Sequence, residues 1–173
     1  ACQNPHPQRR EDRYAAPMSD HSVPRDQLRK IKLFEGCSSQ ELDRIDQLSD
    51  TLDVKAGTVL AREGTIGKEF AVIVSGSATI SREGKELATI QAGEYFGEIA
   101  LLDGITRTAT VTAAEDSILE VLDRRSFRSL LDEFPLMSRT MLLGLTHRIV
   151  ELTDENEQLR SRLRHPTEGD AAT

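Results

Sequence analysis

The hydrophobic period of this chain changes at Thr51, and that change dictates what the middle of the chain can fold into. From Thr51 to Asp123 the runs "TLDVKAGTVLAREG", "EFAVIVSGSATISREGKELATI" and "TATVTAAEDSILEVLD" are rich in Val, Ile, Thr and Ala with a period of two. Such runs suit half-buried strands, because successive side chains of a strand point to opposite faces. Turn signals cut them at Ala56-Gly57, Glu63-Gly64, Ser75-Gly76, Glu83-Gly84-Lys85 and Ala92-Gly93. Short strands with frequent turns predict a sandwich or barrel, and the spacing does not suit alternating strand–helix units with a parallel sheet. Aromatic residues make up only 4% and Trp is absent, so the core has to rest on Leu, Ile, Val and a few Phe.

Helical patterns flank the β region. Residues 24–50 read as helix, with Pro24 at a first position and Leu28, Ile31, Leu33 and Phe34 as apolar contacts. Gly36 interrupts, and "SSQELDRIDQL" restarts with Ser38 or Ser39 as cap, Glu41 in the first turn, and Leu42, Ile45 and Leu48 at helical spacing. After Asp123, "RRSFRSLLDEF" is a helix that stops before Pro135, and a second, long helix runs from Pro135 almost to Pro166.

Several function classes are disfavoured. The chain of 173 residues carries a net charge of -7, which argues against broad contact with nucleic acid or an anionic membrane but leaves room for a local anion pocket. Cys2 and Cys37 suggest neither a disulfide framework nor a thiolate metal site, and the prior for two such thiols is a reducing cytoplasm. His6, His21, His147 and His165 lack ligand spacing, so no metal is expected. No nucleophile–base grouping stands out, and the chain is expected not to be an enzyme. No apolar run reaches membrane-spanning length. "ACQNPHPQRREDRYAAP" is polar and proline-rich and is expected to be disordered. Met18 opens the helical pattern, and the expectation is that translation naturally starts there, with residues 1–17 upstream of it.

One stretch within the β region breaks the pattern. "YFGEIALLDGITRTATV", Tyr95 to Val111, contains "GEIALLDG", which is too short and leucine-rich for a comfortable strand and suits a helix of one or two turns. Gly93 and Gly97 allow close backbone approach to a ligand. The N–H groups at the start of a helix favour a phosphate, and Arg107 can pair with its oxygens through two parallel hydrogen bonds. Thr108 can donate a hydroxyl hydrogen bond, and Glu98, which would repel a phosphate, can accept one from a sugar hydroxyl. A ligand carrying both a phosphate and a free ribose hydroxyl uses all of these groups. Singly, Arg107 reads as a surface arginine beside Asp103, and Glu98 as a first-turn carboxylate favoured by the helix dipole.

Phe96-Gly97-Glu98-Ile99-Ala100-Leu101 followed by Arg107-Thr108-Ala109-Thr110-Val111 closely resembles the phosphate-binding cassette of cyclic nucleotide-binding domains. "AGTVLAREG" and "FAVIVSGSATI" resemble the early strands of that family's β-roll, and the likeness covers about residues 26–160. The resemblance implies a mainly β fold, an antiparallel β-roll of jelly-roll type with leading helices, a short cassette helix and a long C-terminal helix. It implies that Arg107 pairs with a cyclic phosphate, that N–H groups around Ile99 and Ala100 together with Thr108 complete the phosphate shell, and that Glu98 accepts the ribose 2′-OH, with Gly97 allowing the approach. It also implies a contact from the last helix to the base, for which Thr153, with Leu152 alongside, is the candidate; an exposed helical threonine is an equal reading. Many members have Pro before the arginine where this chain has Thr106, which loosens the loop without removing a ligand contact. The ligand expected is cAMP, with cGMP open because Thr108 can address a purine edge.

The last helix carries heptads. Leu145, Leu152 and Leu159 form one series, and Leu142, Ile149, Asn156 and Leu163 the other. Read as d and a positions, they make a coiled-coil seam in which one polar a residue favours a parallel pair in fixed register, and the assembly expected is a homodimer. The alternative is that Leu145 to Leu152 pack on the roll. Bacterial regulators of the family continue into a helix-turn-helix domain, whereas here only residues 164–173 follow Leu163, so direct nucleic-acid binding is not expected. The organisation expected is a disordered segment over 1–23, a nucleotide-binding roll with its leading and hinge helices over 24–134, a dimerising helix over 135–165 and a polar tail over 166–173. The function expected is a cytoplasmic, bacterial sensor that controls a separate effector protein. The alternatives are the regulatory part of a longer kinase, transporter or transcription factor, and a roll that lost its ligand and serves as a dimeric interaction module.

Overall fold

The computed structural model describes residues 23–164. The expectations for Met18, Cys2, the disordered lead and the polar tail lie outside the described residues. The chain divides into two units, one up to Met137 and one from Ser138.

Eight strands build the first unit: β1 (Asp50–Val54), β2 (Val59–Ala61), β3 (Glu69–Ser75), β4 (Ser77–Arg82), β5 (Lys85–Gln91), β6 (Tyr95–Phe96), β7 (Thr110–Ala113) and β8 (Ser117–Asp123). They form two four-stranded sheets in the orders β1-β8-β3-β6 and β2-β7-β4-β5, with every pair antiparallel. The period of two implied a sandwich or barrel and the family resemblance an antiparallel roll, and an antiparallel roll is what forms. The inner faces meet in a core of Leu52, Val54, Ala71, Ile73, Leu119 and Val121 from the first sheet and Leu60, Ala78, Ile90, Val111 and Ala113 from the second. Strands β4 and β5 join through Glu83 and Gly84, both at positive φ (50° and 76°), the turn whose twist matches that of the flanking strands.

The central strands of the first sheet, β3 and β8, are buried on both faces. Along β3, Ala71 and Ile73 point into the core, while Phe70 and Val72, of opposite parity, are equally buried. The outer face is covered by helix α4 (Arg124–Glu133), whose Phe127 stacks on Phe70 with ring centroids 4.6 Å apart. Asp123 caps this helix, its carboxylate accepting from the Ser126 N–H at 2.7 Å.

The leading segment departs from a continuous helix. It contains α1 (Arg25–Leu28), a 3-10 turn (Lys32–Phe34) and α2 (Ser39–Leu48). A helix advances 100° per residue, so an unbroken one would set Leu33 roughly 140° away from Leu28. Leu28, Ile31, Leu33 and Phe34 are all buried, and breaking the helix after Leu28 is what lets all of them turn inward. Gly36, at φ 85°, makes the second break. Ser38 is the cap of α2 in a reciprocal box: its Oγ accepts from the Glu41 N–H at 3.3 Å, and its own N–H donates to Glu41 Oε2 at 2.7 Å. Ser38→Ala is expected to lower stability by about 1 kcal/mol, read as a lower urea midpoint with an unchanged slope. Cys37 is buried and unbridged, and burial together with the Glu41 carboxylate pushes its thiol pKa up, which makes it a poor nucleophile.

Helix α5 (Pro135–Arg164) leads into the second unit. No helix among the described residues is long and apolar enough to cross a membrane.

Candidate phosphate-binding site

Strand β6 ends at Phe96, and the backbone then turns through Gly97 into helix α3 (Glu98–Leu102). Gly97 has φ 96° and ψ -4°, the left-handed region that side-chain-bearing residues avoid. Space excludes a side chain as well. A Cβ here would fall on the Arg107 guanidinium and lie 2.7 Å from the Glu69 carbonyl oxygen. The glycine thus permits both the turn and the close packing of an arginine against it.

Arg107 is 8% exposed, and the reading of it as a surface arginine is set aside. Its Nη2 donates to the Glu69 carbonyl at 2.6 Å and its Nη1 to the Gly97 carbonyl at 3.2 Å. Its backbone is laced to the loop after β2: the Arg107 N–H donates to Thr65 O and the Gly64 N–H to Arg107 O, both at 2.8 Å. Thr106, the residue in place of the usual proline, pairs with Ile66 in an isolated antiparallel bridge, which holds the segment preceding the arginine. A guanidinium whose plane is set by two backbone carbonyls is preorganised, and its fork matches the oxygens of a phosphate.

The remaining residues gather around it. Glu98, at the first position of α3, is 6% exposed, where the helix dipole favours a carboxylate. Ala100 is buried, whereas Ile99 and Thr108 are exposed. The structure therefore brings Gly97, Glu98, Ile99, Ala100, Arg107 and Thr108 together on one turn, one short helix and one strand entry. Thr153 lies in the second unit, and its hydroxyl donates to the Ile149 carbonyl one helical turn back, at 2.8 Å.

Four residues that sequence reasoning did not single out also build the site. Glu69 contributes its carbonyl, a group every residue has and no motif can flag. Gly67 leaves room for the cassette helix, since a Cβ there would fall on the Ala100 methyl. Arg124, the first residue of α4, donates from Nη2 to Gly67 O at 3.0 Å and to Ala100 O at 3.3 Å. Arg82, the last residue of β4, donates from Nε to the Thr108 carbonyl at 2.9 Å. Among the described residues, no group of three or more His, Cys, Asp or Glu is placed to hold a metal ion.

Comparison with known proteins points the same way. Residues 51–134 match the family model described as "Cyclic nucleotide-binding domain". Over 107 residues the chain is 36% identical to a cAMP-dependent protein kinase regulatory subunit of Debaryomyces hansenii, covering 61% of this chain and 24% of that protein. The chain spans about a quarter of the length of the curated relatives it matches. Among solved structures, the Thermus thermophilus catabolite activator protein matches with a TM-score of 0.68 and 28% identity, over 75% of this chain and 63% of that one. The structure described as "cAMP bound PfPKA-R (141-441)" matches with a TM-score of 0.63 and 29% identity, over 78% of this chain and 45% of that one.

Proposed function

We propose, on the premise that residues 51–134 belong to the cyclic nucleotide-binding domain family, that this chain is a ligand-responsive regulatory domain and that its ligand is cAMP, with cGMP as the alternative. The observation that carries this reading is the buried Arg107, oriented by the Glu69 and Gly97 carbonyls beside the turn that starts the cassette helix. Arg107 pairs with the cyclic phosphate, the N–H groups of Ile99 and Ala100 and the Thr108 N–H or hydroxyl complete its shell, and Glu98 accepts the ribose 2′-OH. Thr153, with Leu152, is the proposed contact of the last helix to the base. The names of the relatives support the nucleotide: one is cAMP-dependent and one solved neighbour holds cAMP.

The domain acts without catalysis. Ligand draws the cassette inward, and the helices that follow the roll report this to a separate effector in the cytoplasm. The organisation proposed is a roll with its leading and hinge helices over 24–134 and a dimerising helix over 135–165. A partner that prefers the liganded state tightens ligand binding by the same factor. Contact with nucleic acid or membrane is not part of this reading. Isothermal titration with cAMP and then cGMP tests it. Saturable binding in the micromolar range or tighter is expected; a folded protein that takes up neither favours the dimeric interaction module instead.

Helix α5 is the proposed dimer seam. Leu142, Ile149, Leu152 and Leu159 would leave a long apolar stripe in water, being 52–65% exposed in the single chain.

 The Asn156 amide meanwhile donates to the Leu152 carbonyl at 3.0 Å and stays on the seam. Pairing two copies in parallel covers Leu142, Ile149, Leu152 and Leu159 and sets Asn156 against its counterpart, which fixes the register. Leu152→Asp is expected to convert the dimer to a monomer in sedimentation equilibrium. An unchanged mass would show that the seam lies elsewhere.

A further inference from the structure

The cassette has a cationic neighbour on the opposite sheet. Ala78 of β4 is buried in the core and Ile80 packs against it, so strand alternation places Arg82 on that same inner face. Across the hairpin, Ala88 is the cross-strand partner of Ile80, yet Ala88 is exposed, and Ile90 is the one buried residue of β5. The inner face of the second sheet therefore opens to solvent at this end, and the cassette borders the opening. Arg82 Nε donates to the carbonyl of Thr108, which directly follows Arg107. A guanidinium has five N–H donors. Among the described residues Arg82 makes no other hydrogen bond or ion pair, so its Nη donors remain available at the mouth of the roll.

We propose that Arg82 is a specificity-determining residue of the nucleotide pocket, reading the purine edge that carries N7 and the 6-substituent. The inference rests on the cyclic nucleotide reading above and deepens it. Guanine presents two acceptors on that edge, N7 and O6, whereas adenine presents the N7 acceptor beside an N6 donor. A fork of donors matches the first and meets a donor in the second. The Thr108 carbonyl fixes the guanidinium in advance, so little side-chain freedom is lost on contact with a ligand. Arg82 therefore raises affinity for cGMP relative to cAMP, whichever the intact pocket holds more tightly.

Titrations of wild type, Arg82→Ala and Arg82→Lys with cAMP, cGMP and cIMP test this. The inosine nucleotide keeps O6 and N7 and lacks the 2-amino group, so it isolates the edge in question. Arg82→Ala is expected to weaken cGMP and cIMP about tenfold more than it weakens cAMP. Arg82→Lys keeps the charge without the fork and is expected to lose most of the same discrimination. Arg82 is exposed, so both variants are expected to melt like the wild type. An equal loss for all three nucleotides would assign Arg82 to holding the Thr108 carbonyl and overturn the specificity role, as would no change at all. Failure of the wild type to bind any of the three would overturn the cyclic nucleotide reading itself, and this inference with it.

Discussion

Arg107→Ala is expected to weaken cyclic nucleotide binding by about 2–5 kcal/mol, the cost of removing one partner from a buried charge pair. The effect is large because of where the guanidinium sits. It is buried, and the Glu69 and Gly97 carbonyls hold its plane before any ligand arrives. Alanine removes the charge and also leaves those two carbonyls without this donor. The cassette could then loosen for reasons unrelated to ligand. Arg107→Lys separates the two effects, since it keeps a positive charge but not the planar fork and is expected to retain part of the affinity. Isothermal titration gives the affinities, and thermal melting of the ligand-free variants gives the fold. Full-strength binding by a folded Arg107→Ala protein would show that the phosphate is held elsewhere.

The largest loss of stability is expected at Phe70→Ala, about 3–5 kcal/mol. Phe70 has no exposed surface and lies between the first sheet and α4, stacked on Phe127 at 4.6 Å and tilted against Tyr95 at 5.5 Å. Removing it leaves a cavity that a sheet and a helix cannot both collapse into. A domain of this size has a total stability of only about 5–15 kcal/mol, so the variant would sit close to unfolding. Urea denaturation reads the loss directly. A double-mutant cycle with Phe127→Ala should return a coupling of about 0.5–1.5 kcal/mol for the ring pair. A loss below about 1 kcal/mol would show that the helix rests on other contacts.

Much of this architecture is legible in the residues themselves. The period of two and the glycine-marked turns announce the strands, and Gly97 to Ala100 with Arg107 announces the cassette, because tight turns and anion contacts demand particular side chains. Ser38 with Glu41 announces the start of α2 for the same reason. The strand order is not legible in this way. The pairing of β1 with β8 joins Leu52 to Leu119 across most of the roll, and nothing local to either residue encodes it. The break after Leu28 is likewise set by where Leu33 and Phe34 have to go, not by a breaker residue at that point. The supports of Arg107 are backbone carbonyls, which look alike in every sequence. Arg82 and Arg124 were hidden by the opposite problem, being two of many arginines in a charged chain until the fold brings each against the cassette.

Arg124 is where the roll ends and α4 begins, and three hydrogen bonds converge on it. Its N–H donates to Lys68 O at 3.0 Å, and its guanidinium reaches Gly67 O and Ala100 O. The loop before β3, the cassette helix and the first turn of α4 are thus fastened at a single residue. None of the three can open alone without breaking bonds that the other two share. In hydrogen exchange, their amides are expected to open together as one cooperative unit, so that protection of the cassette would also slow exchange in the first turn of α4.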